Sequence, residues 1–262
     1  MGRSLMQPHH WYTAFMLLAL AVFVVTRHFV RKPPELAAVP RGHRAAIAVA
    51  ALAGGALGAK LPFVFDERID WSDGVAWLRT LFRDGKTVVA GLAGAYLAVE
   101  LTKKVLDIRV KTGDTFALPL ALAMAVGRWG CCFNGCCYGA STSLPWGVSF
   151  RQPDGAWLRC HPTQVYESLF HLAMACVLLE VTRQGALRRQ RLKLYLICYG
   201  VYRFLTEFIR PEEVWLAGLT AYQWGALGLA AGLSLQWWAD RREPARQTGR
   251  VAGPRLGRST GG

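Results

Sequence analysis

The sequence is short of charge, and above all of acidic charge. Only 18% of its 262 residues are charged, and 17 acidic residues stand against 31 basic ones, which gives a formal net charge of +14. Apolar residues make up 53% of the chain, above the about 45–50% that is usual for a soluble domain. The shortage of charge therefore excludes an ordinary soluble domain, although the basic excess by itself would suit a nucleic-acid partner.

The distribution of the basic residues excludes the nucleic-acid partner. They lie in short clusters between long apolar runs, as in a protein that crosses a membrane several times. A helix needs about 20 apolar residues to cross a bilayer. We therefore predict an all-α integral membrane protein with seven transmembrane helices. The predicted spans are roughly 11–26, 45–65, 86–102, 115–130, 163–182, 193–209 and 219–238.

The loops between these spans predict the orientation. Basic residues concentrate after the first, third and fifth spans and in the tail, and such loops face the cytoplasm. We expect the N-terminus outside and the C-terminus in the cytoplasm, with a membrane domain over 1–240 and a basic, disordered tail over 241–262. The first span lacks a small-x-small cleavage site directly after it, so we interpret it as a helix rather than a signal peptide. Its removal would leave six spans in the same orientation.

The cysteines do not form a disulfide framework. Their number, seven, is odd, and Cys160, Cys176 and Cys198 lie apart from the others. The remaining four could bind a soft metal such as Zn or Cu(I), form a redox pair on an oxidising outer face, or pack as small polarizable side chains. Their spacing is not a zinc-finger pattern, so all three interpretations stay open. The four clustered residues are Cys131, Cys132, Cys136 and Cys137.

The cysteine cluster belongs to a glycine-rich stretch, residues 127–139, that follows an apolar run. Dense glycines let the backbone turn tightly or approach a ligand closely. Arg128 lies at the end of predicted span four, where an arginine is costly unless it faces a polar cavity or an anion. A guanidinium matches phosphate in a bidentate geometry, so we predict a phosphate clamp. The alternative is an arginine that only anchors the end of the helix.

Charged residues also end predicted span six. Arg203, Glu207 and Arg210 follow at intervals of four and three, which places them on one helix face. Arg203 and Glu207 can form an ion pair. The pair is either a structural contact at the interface or part of a functional site, the usual role of a charge inside a membrane.

Predicted span five opens with a polar stripe. His161, Gln164, Ser168 and His171 follow at helical spacing, and Glu167 lies beside them. We expect this stripe to face the interior of the helix bundle. His161 could act as a general base near neutral pH, or it could simply cap the helix through a hydrogen bond.

Smaller polar signals lie in the first two predicted spans. Tyr12 lies at the outer end of span one, and Lys60 follows the small-residue run Gly54–Ala59 in span two. Small residues let two helices approach closely. A packing role and a ligand contact are both open for this segment.

Three motifs together resemble the bacterial prolipoprotein diacylglyceryl transferases. The family signature resembles Gly127 to Gly139, its His-Pro-Ser-Gln-Leu-Tyr-Glu element resembles His161 to Glu167, and its Arg-x-x-x-Glu-Phe-x-Arg element resembles Arg203 to Arg210. The resemblance covers residues 11 to about 238. It implies a seven-span inner-membrane fold that moves the diacylglyceryl group of phosphatidylglycerol onto the lipobox cysteine of a secreted prolipoprotein.

The resemblance also implies roles for individual residues. Arg128 and Arg203 would bind the lipid phosphate, Glu207 would hold Arg203, and His161 would deprotonate the acceptor thiol. The residues expected to bind substrate are Tyr12, Asn134, Gly139, Gln164, Glu167 and Arg210. The implied partners are phosphatidylglycerol, the prolipoprotein signal peptide with its lipobox, and the membrane, with no nucleic acid. No metal or other cofactor is expected.

The chain departs from the family pattern at three positions. Cys131 replaces an asparagine of the signature and Cys136 replaces a glutamate, while the run from Val88 to Gly94 lacks the histidine that the family carries on entering span three. These departures favour an alternative function on the same scaffold. It would be a cysteine-based redox or metal-handling protein, or a transferase with another acceptor.

Overall fold

Each of the seven apolar runs forms a helix in the computed structural model, which describes residues 8–31, 33–62, 87–152 and 154–242. One short helix, α2, joins them. The helices are α1 (Pro8–Phe29), α2 (Pro34–Ala37), α3 (Arg41–Lys60), α4 (Val88–Val105), α5 (Asp114–Phe133), α6 (Thr163–Arg183), α7 (Arg191–Thr206) and α8 (Ala221–Arg242).

Three of the helices are long and apolar enough to cross a membrane. Among the described residues these candidate spans are His10–Phe29, Asp114–Phe133 and Thr163–Arg183, with 20, 20 and 21 residues. That length matches the roughly 20 residues that span the hydrocarbon core. The fold is therefore mostly helical with three candidate transmembrane helices. The full set of seven spans and the orientation of the termini stay predictions.

The chain divides into two compact units. The second unit comprises residues 32–111 and 239–262. In its described part, helix α3 packs against helix α4. A Cβ atom added to Gly58 would lie 2.9 Å from the Cα of Gly94, and one added to Gly54 would overlap the side chain of Ala98. The small-residue face that the sequence predicted in span two is confirmed, because these glycines let the two backbones touch.

The first unit comprises residues 1–31 and 112–238. Its helix α1 packs on α5, where Phe133 stacks on Phe15 and Trp11 with ring centroids 5.2 and 5.9 Å apart. A Cβ atom at Gly130 would lie only 3.0 Å from the Cβ of Phe15, so the glycine permits this close approach. On the other side, α5 packs on α6, and the Ser168 hydroxyl donates to the carbonyl of Ala125 at 2.8 Å.

Two short hairpins interrupt the helices, and the sequence predicted neither of them. Antiparallel strands β1 (Val148–Arg151) and β2 (Trp157–Cys160) lie in the link between α5 and α6, and β3 (Val214–Leu216) pairs with β4 (Leu219–Thr220) before α8. Backbone hydrogen bonds hold the start of the link between α5 and α6 in place. The amide of Gly139 donates to the carbonyl of His161 at 2.9 Å, and that of Ala140 donates to Ile209 at 2.8 Å.

The end of predicted span six differs from the prediction. Helix α7 stops at Thr206, a 3-10 turn covers Glu207–Ile209, and Arg210 has an extended backbone with φ −111° and ψ 148°. The proline after Arg210 explains the change, because a residue before proline is pushed out of the α region. The prediction that Arg210 continues the helix face of Arg203 and Glu207 is therefore wrong.

Two other boundaries differ less. His161 precedes the first residue of α6, Thr163, so the helical part of the predicted stripe begins at Gln164. Helix α8 continues through Arg242. The remainder of the predicted tail, residues 243–262, lies outside the described residues.

Candidate active site

Two arginines from different helices meet at one carboxylate. Arg128 Nη2 donates to Glu167 Oε1 at 2.6 Å, and Arg203 Nη1 lies 3.7 Å from Glu167 Oε2. The exposed fraction of Arg128 is 8%, that of Arg203 is 9% and that of Glu167 is 1%. Charged groups this deeply buried need partners of opposite sign, and here the two arginines share the carboxylate of Glu167.

Three helix segments position these residues. Arg128 lies near the C-terminal end of α5, Glu167 in the second turn of α6 and Arg203 in the last turn of α7. On α6, Gln164 and Ser168 are buried together with Glu167. This confirms that the polar stripe faces the interior of the unit, as its spacing predicted.

A second carboxylate completes the ion-pair cluster. Arg203 Nη2 donates to Glu207 Oε2 at 2.7 Å, so the predicted pairing of these two residues is confirmed. With all four groups ionised, the cluster of Arg128, Arg203, Glu167 and Glu207 carries no net charge. The other oxygen of Glu207 is buried without a hydrogen-bond partner, and Arg128 Nη1 faces the sulfur of Cys131 at 3.9 Å, a weak acceptor. One edge of the Arg128 guanidinium therefore remains suited to a stronger acceptor such as a phosphate oxygen.

An aromatic and histidine layer supports Glu167, and the sequence prediction missed its tyrosines. The Tyr199 hydroxyl donates to Glu167 Oε1 at 2.6 Å. His171 Nε2 lies 3.8 Å from the same oxygen, while its Nδ1 is 2.9 Å from the Tyr195 hydroxyl. A signal was present, since Tyr195, Tyr199 and Arg203 recur every four residues, which places them on one helix face.

The glycine-rich loop after α5 is pinned to the start of α6. Gln164 Nε2 donates to the carbonyl of Cys136 at 2.5 Å, and Thr163 Oγ1 donates to that of Cys137 at 2.6 Å. Within the loop Gly135 has φ 66° and Cys137 has φ 62°. A residue with a Cβ atom pays about 1–2 kcal/mol for the left-handed conformation, so the placement of Cys137 is imposed by the surrounding contacts.

The end of the same loop is tightly packed. A Cβ atom at Gly139 would lie 2.6 Å from the carbonyl oxygen of Ile209 and 2.9 Å from the Cβ of His161. Gly139 thus joins the loop to the 3-10 turn after α7 and to the residue that precedes α6. Its predicted role in orienting a substrate remains a prediction, whereas its role in close packing is evident.

Three of the four clustered cysteines converge. The sulfur atoms of Cys131, Cys136 and Cys137 all lie within 4.8 Å of one another. Cys132 is outside this group of three, and all the cysteines have free thiols. The group of three sulfurs therefore has the composition and spacing of a site for a soft metal ion.

The remaining predicted site residues surround this core less closely. His161 is half-buried, and its Nδ1 lies 3.3 Å from the Tyr166 hydroxyl, which also accepts a hydrogen bond from Trp146 Nε1 at 2.8 Å. Asn134 is the residue that caps the C-terminal end of α5. Arg210 Nε lies 3.8 Å from Glu212 rather than on the ion-pair cluster.

Tyr12, the last of these residues, is half-buried on α1. Its backbone carbonyl oxygen is 3.3 Å from the position that a Cβ atom at Gly130 would take. This contact places Tyr12 where α1 passes the end of α5, the helix that carries Arg128 and Cys131. Its predicted contact with substrate remains a prediction.

The apolar helices and the buried charge cluster define a helical protein with membrane-spanning character and a charged interior. Comparison with known proteins gives the particular family. The family model described as prolipoprotein diacylglyceryl transferase matches residues 4–238. The chain belongs to this family.

Curated relatives carry the same description. A phosphatidylglycerol–prolipoprotein diacylglyceryl transferase of Clostridium tetani is 35% identical over 170 residues, which are 63% of this chain and 68% of the relative. The protein of the same name from Pseudomonas paraeruginosa is 28% identical over 249 residues, or 90% of this chain and 91% of the relative. One from Coxiella burnetii is 33% identical over 189 residues, covering 66% and 70%. No solved structure matches the chain.

Proposed function

We propose that the protein transfers the diacylglyceryl group of phosphatidylglycerol to a cysteine thiol of a prolipoprotein. The observation that carries the proposal is the meeting of Arg128 and Arg203 at the single carboxylate of Glu167. Membership of the family and the names of the curated relatives support the same activity.

The cluster suits a phosphate ester as substrate. The lipid phosphate would bind at the edge of Arg128 that faces Cys131 and draw on the charge of Arg203, with Glu207 holding Arg203 in place. During the reaction a C–S bond forms to the acceptor thiolate and the C–O bond to the phosphate breaks. The glycerol phosphate that leaves gains negative charge, and preorganised arginines are well suited to stabilise it.

The acceptor thiol must lose its proton, and His161 is the residue that we propose to accept it. In the tautomer that permits this, Nδ1–H donates to the oxygen of Tyr166 at 3.3 Å and leaves the lone pair of Nε2 free. Tyr166 would then orient the imidazole, as a second partner commonly does for a catalytic histidine. The polar groups of Asn134, Gln164, Arg210 and Tyr12, with the close backbone at Gly139, would position the lipid head group.

The membrane arrangement forms part of the proposal. We infer that all seven predicted spans cross the bacterial inner membrane, with the N-terminus outside, so that the site opens toward the outer half of the bilayer. The candidate spans of α1, α5 and α6 support this arrangement. Phosphatidylglycerol and a prolipoprotein with its signal peptide and lipobox would both enter from the membrane.

Complementation tests the function directly. A bacterium depleted of its own transferase would be supplied with the wild-type chain, with Arg203→Ala, or with Arg109→Ala as a control on an exposed arginine. We expect growth and lipid-modified prolipoprotein with the wild type and the control, and neither with Arg203→Ala. Absence of modified prolipoprotein from a well-expressed, membrane-inserted wild type would overturn the proposal.

A further inference from the structure

The three converging cysteines are spaced for one metal ion. Their sulfur atoms all lie within 4.8 Å of one another. Around a tetrahedral zinc ion with Zn–S bonds of about 2.3 Å, neighbouring sulfurs are separated by about 3.8 Å. Cys131, Cys136 and Cys137 therefore need only small side-chain adjustments to reach the same ion.

The geometry disfavours the two other interpretations of the cluster. A disulfide joins two sulfur atoms and would leave the third thiol of the group without a covalent partner. Simple packing of small apolar groups would favour burial, yet Cys137 is exposed and Cys131 and Cys136 are half-buried. Cys137 also holds a left-handed backbone with φ 62°, a conformation that is retained in proteins where a side chain is needed in a particular place.

The ligands are held on a preformed turn. The amide of Cys136 donates to the carbonyl of Cys131 at 3.1 Å. Side chains at the start of α6 fix the carbonyls of Cys136 and Cys137 through Gln164 and Thr163. A site whose ligands are fixed before the metal binds loses little conformational entropy on binding it.

Charge and access favour a zinc site with one open position. Three thiolates and one Zn²⁺ carry a net charge of −1, and the Arg128 guanidinium lies beside this site, with Nη1 3.9 Å from the sulfur of Cys131. Structural zinc sites close all four positions with protein ligands, whereas catalytic sites use three and leave the fourth for a substrate. The exposure of Cys137 leaves one side of this group accessible.

We propose that Cys131, Cys136 and Cys137 bind one Zn²⁺ through three thiolates, and that its open position takes the thiol of the acceptor cysteine. The second half of this proposal rests on the proposed transferase function. On binding zinc the thiol would lose its proton, for which His161 is the proposed acceptor, and the resulting thiolate would attack the lipid carbon. The C–S bond forms, the C–O bond to phosphate breaks with its electron pair on the phosphate oxygen, and no oxidant or reductant is required.

Metal content tests the site without any assay of transfer. Full-length protein would be purified in detergent from cells grown with zinc, and its metals measured by mass spectrometry. We expect one zinc per chain in the wild type and in Cys132→Ser, the matched control whose sulfur lies outside the group, and loss of that zinc in Cys136→Ser. Arg203→Ala should keep its zinc even though transfer is lost, which separates this test from that of the transferase.

Cobalt substitution tests the open position. Co²⁺ in a site with three thiolates absorbs visible light, and a fourth thiolate changes the spectrum. A short acceptor peptide with one cysteine should shift the absorption bands, and the same peptide with serine should leave them unchanged. If the bands do not respond to the cysteine peptide, the acceptor role of the zinc site is wrong.

Labelling the thiols of the wild-type protein tests the metal site without relying on a variant that could fail to fold. In wild-type protein, Cys131, Cys136 and Cys137 should resist iodoacetamide until zinc is chelated. Equal labelling with and without the chelator would overturn the metal site. A wild type that contains no zinc and takes none up, that binds only copper, or that holds a disulfide within the group would overturn it as well.

Discussion

Replacing Glu167 by glutamine removes the charge on which the site is built. The carboxylate accepts from Arg128 at 2.6 Å and from Tyr199 at 2.6 Å, and lies 3.7 Å from Arg203. Glutamine keeps the size and one carbonyl acceptor but carries no charge. The variant therefore leaves two buried guanidinium groups with Glu207 as the only carboxylate of the cluster, so its net charge changes from zero to +1.

The expected loss of stability follows from that imbalance. Removing one partner of a buried ion pair costs about 3–5 kcal/mol. Because the amide oxygen still accepts hydrogen bonds, we expect the lower end, about 3 kcal/mol. In a chain of this size each kcal/mol lowers the melting temperature by about 2–4 °C, so the variant should melt about 6–12 °C below the wild type.

The assay is thermal unfolding of purified protein in neutral detergent, with Glu180→Gln as the control. Glu180 lies on the same helix, is exposed, and contacts Gln184 Nε2 at 2.7 Å, so its replacement should change stability by less than about 0.5 kcal/mol. Added phosphatidylglycerol should stabilise Glu167→Gln more than added phosphatidylethanolamine does, because phosphatidylglycerol has a net charge of −1, whereas the ammonium group of phosphatidylethanolamine cancels the charge of its phosphate. Equal melting temperatures for the two variants would refute the shared-carboxylate reasoning.

Three further predictions concern single contacts of the same site. Arg203→Lys keeps the charge but loses the planar guanidinium fork. We expect transfer to fall about 10-fold or more because phosphate binding is weaker, and this should appear as a higher KM for phosphatidylglycerol. An unchanged KM would argue against contact between Arg203 and the phosphate. Tyr199→Phe removes a buried hydrogen bond to a charged group and should cost about 1.5–3 kcal/mol in denaturant or thermal unfolding, with no change if Glu167 is held elsewhere. Gly139→Ala places a Cβ atom 2.6 Å from the carbonyl of Ile209 and should destabilise by about 1–3 kcal/mol, whereas Gly225→Ala, which meets nothing within 4 Å, should be neutral or slightly stabilising.

The helices were predictable because each one is a long, mostly apolar run. All seven runs form helices, with ends shifted by a few residues. The contact between Arg203 and Glu207 was also predictable, since residues four apart share a helix face. The close approach of α3 to another helix was foreshadowed by the small residues Gly54 and Gly58, although the sequence did not identify α4 as that helix. In each case the signal is local in sequence and the physical rule acts over one or two helical turns.

The contacts at the centre of the site were not predictable in this way. Arg128 and Glu167 are 39 residues apart, and Tyr199 is 32 residues beyond Glu167. Each lies in its own helix, and no periodicity within one helix shows which face meets which neighbour. The hairpin of β1 and β2 was not predicted from the sequence because its strands have only four residues each. The convergence of Cys131 with Cys136 and Cys137 needed the left-handed turn at Gly135 and Cys137, which spacing alone does not specify.

Arg128 lies between Glu167 and the cysteine group, and in the proposed reaction this position would bring a lipid and a thiol together. One amino group donates to Glu167 at 2.6 Å, and the other faces the sulfur of Cys131 at 3.9 Å. A phosphate bound at that second edge would lie next to the three cysteine sulfurs. Transfer requires the attacking sulfur and the lipid carbon to approach to about 3–3.5 Å. A thiol held by a metal on those sulfurs and a phosphate held by Arg128 would be confined to neighbouring positions. The arginine proposed to bind the leaving group would then also set the distance over which the new bond forms.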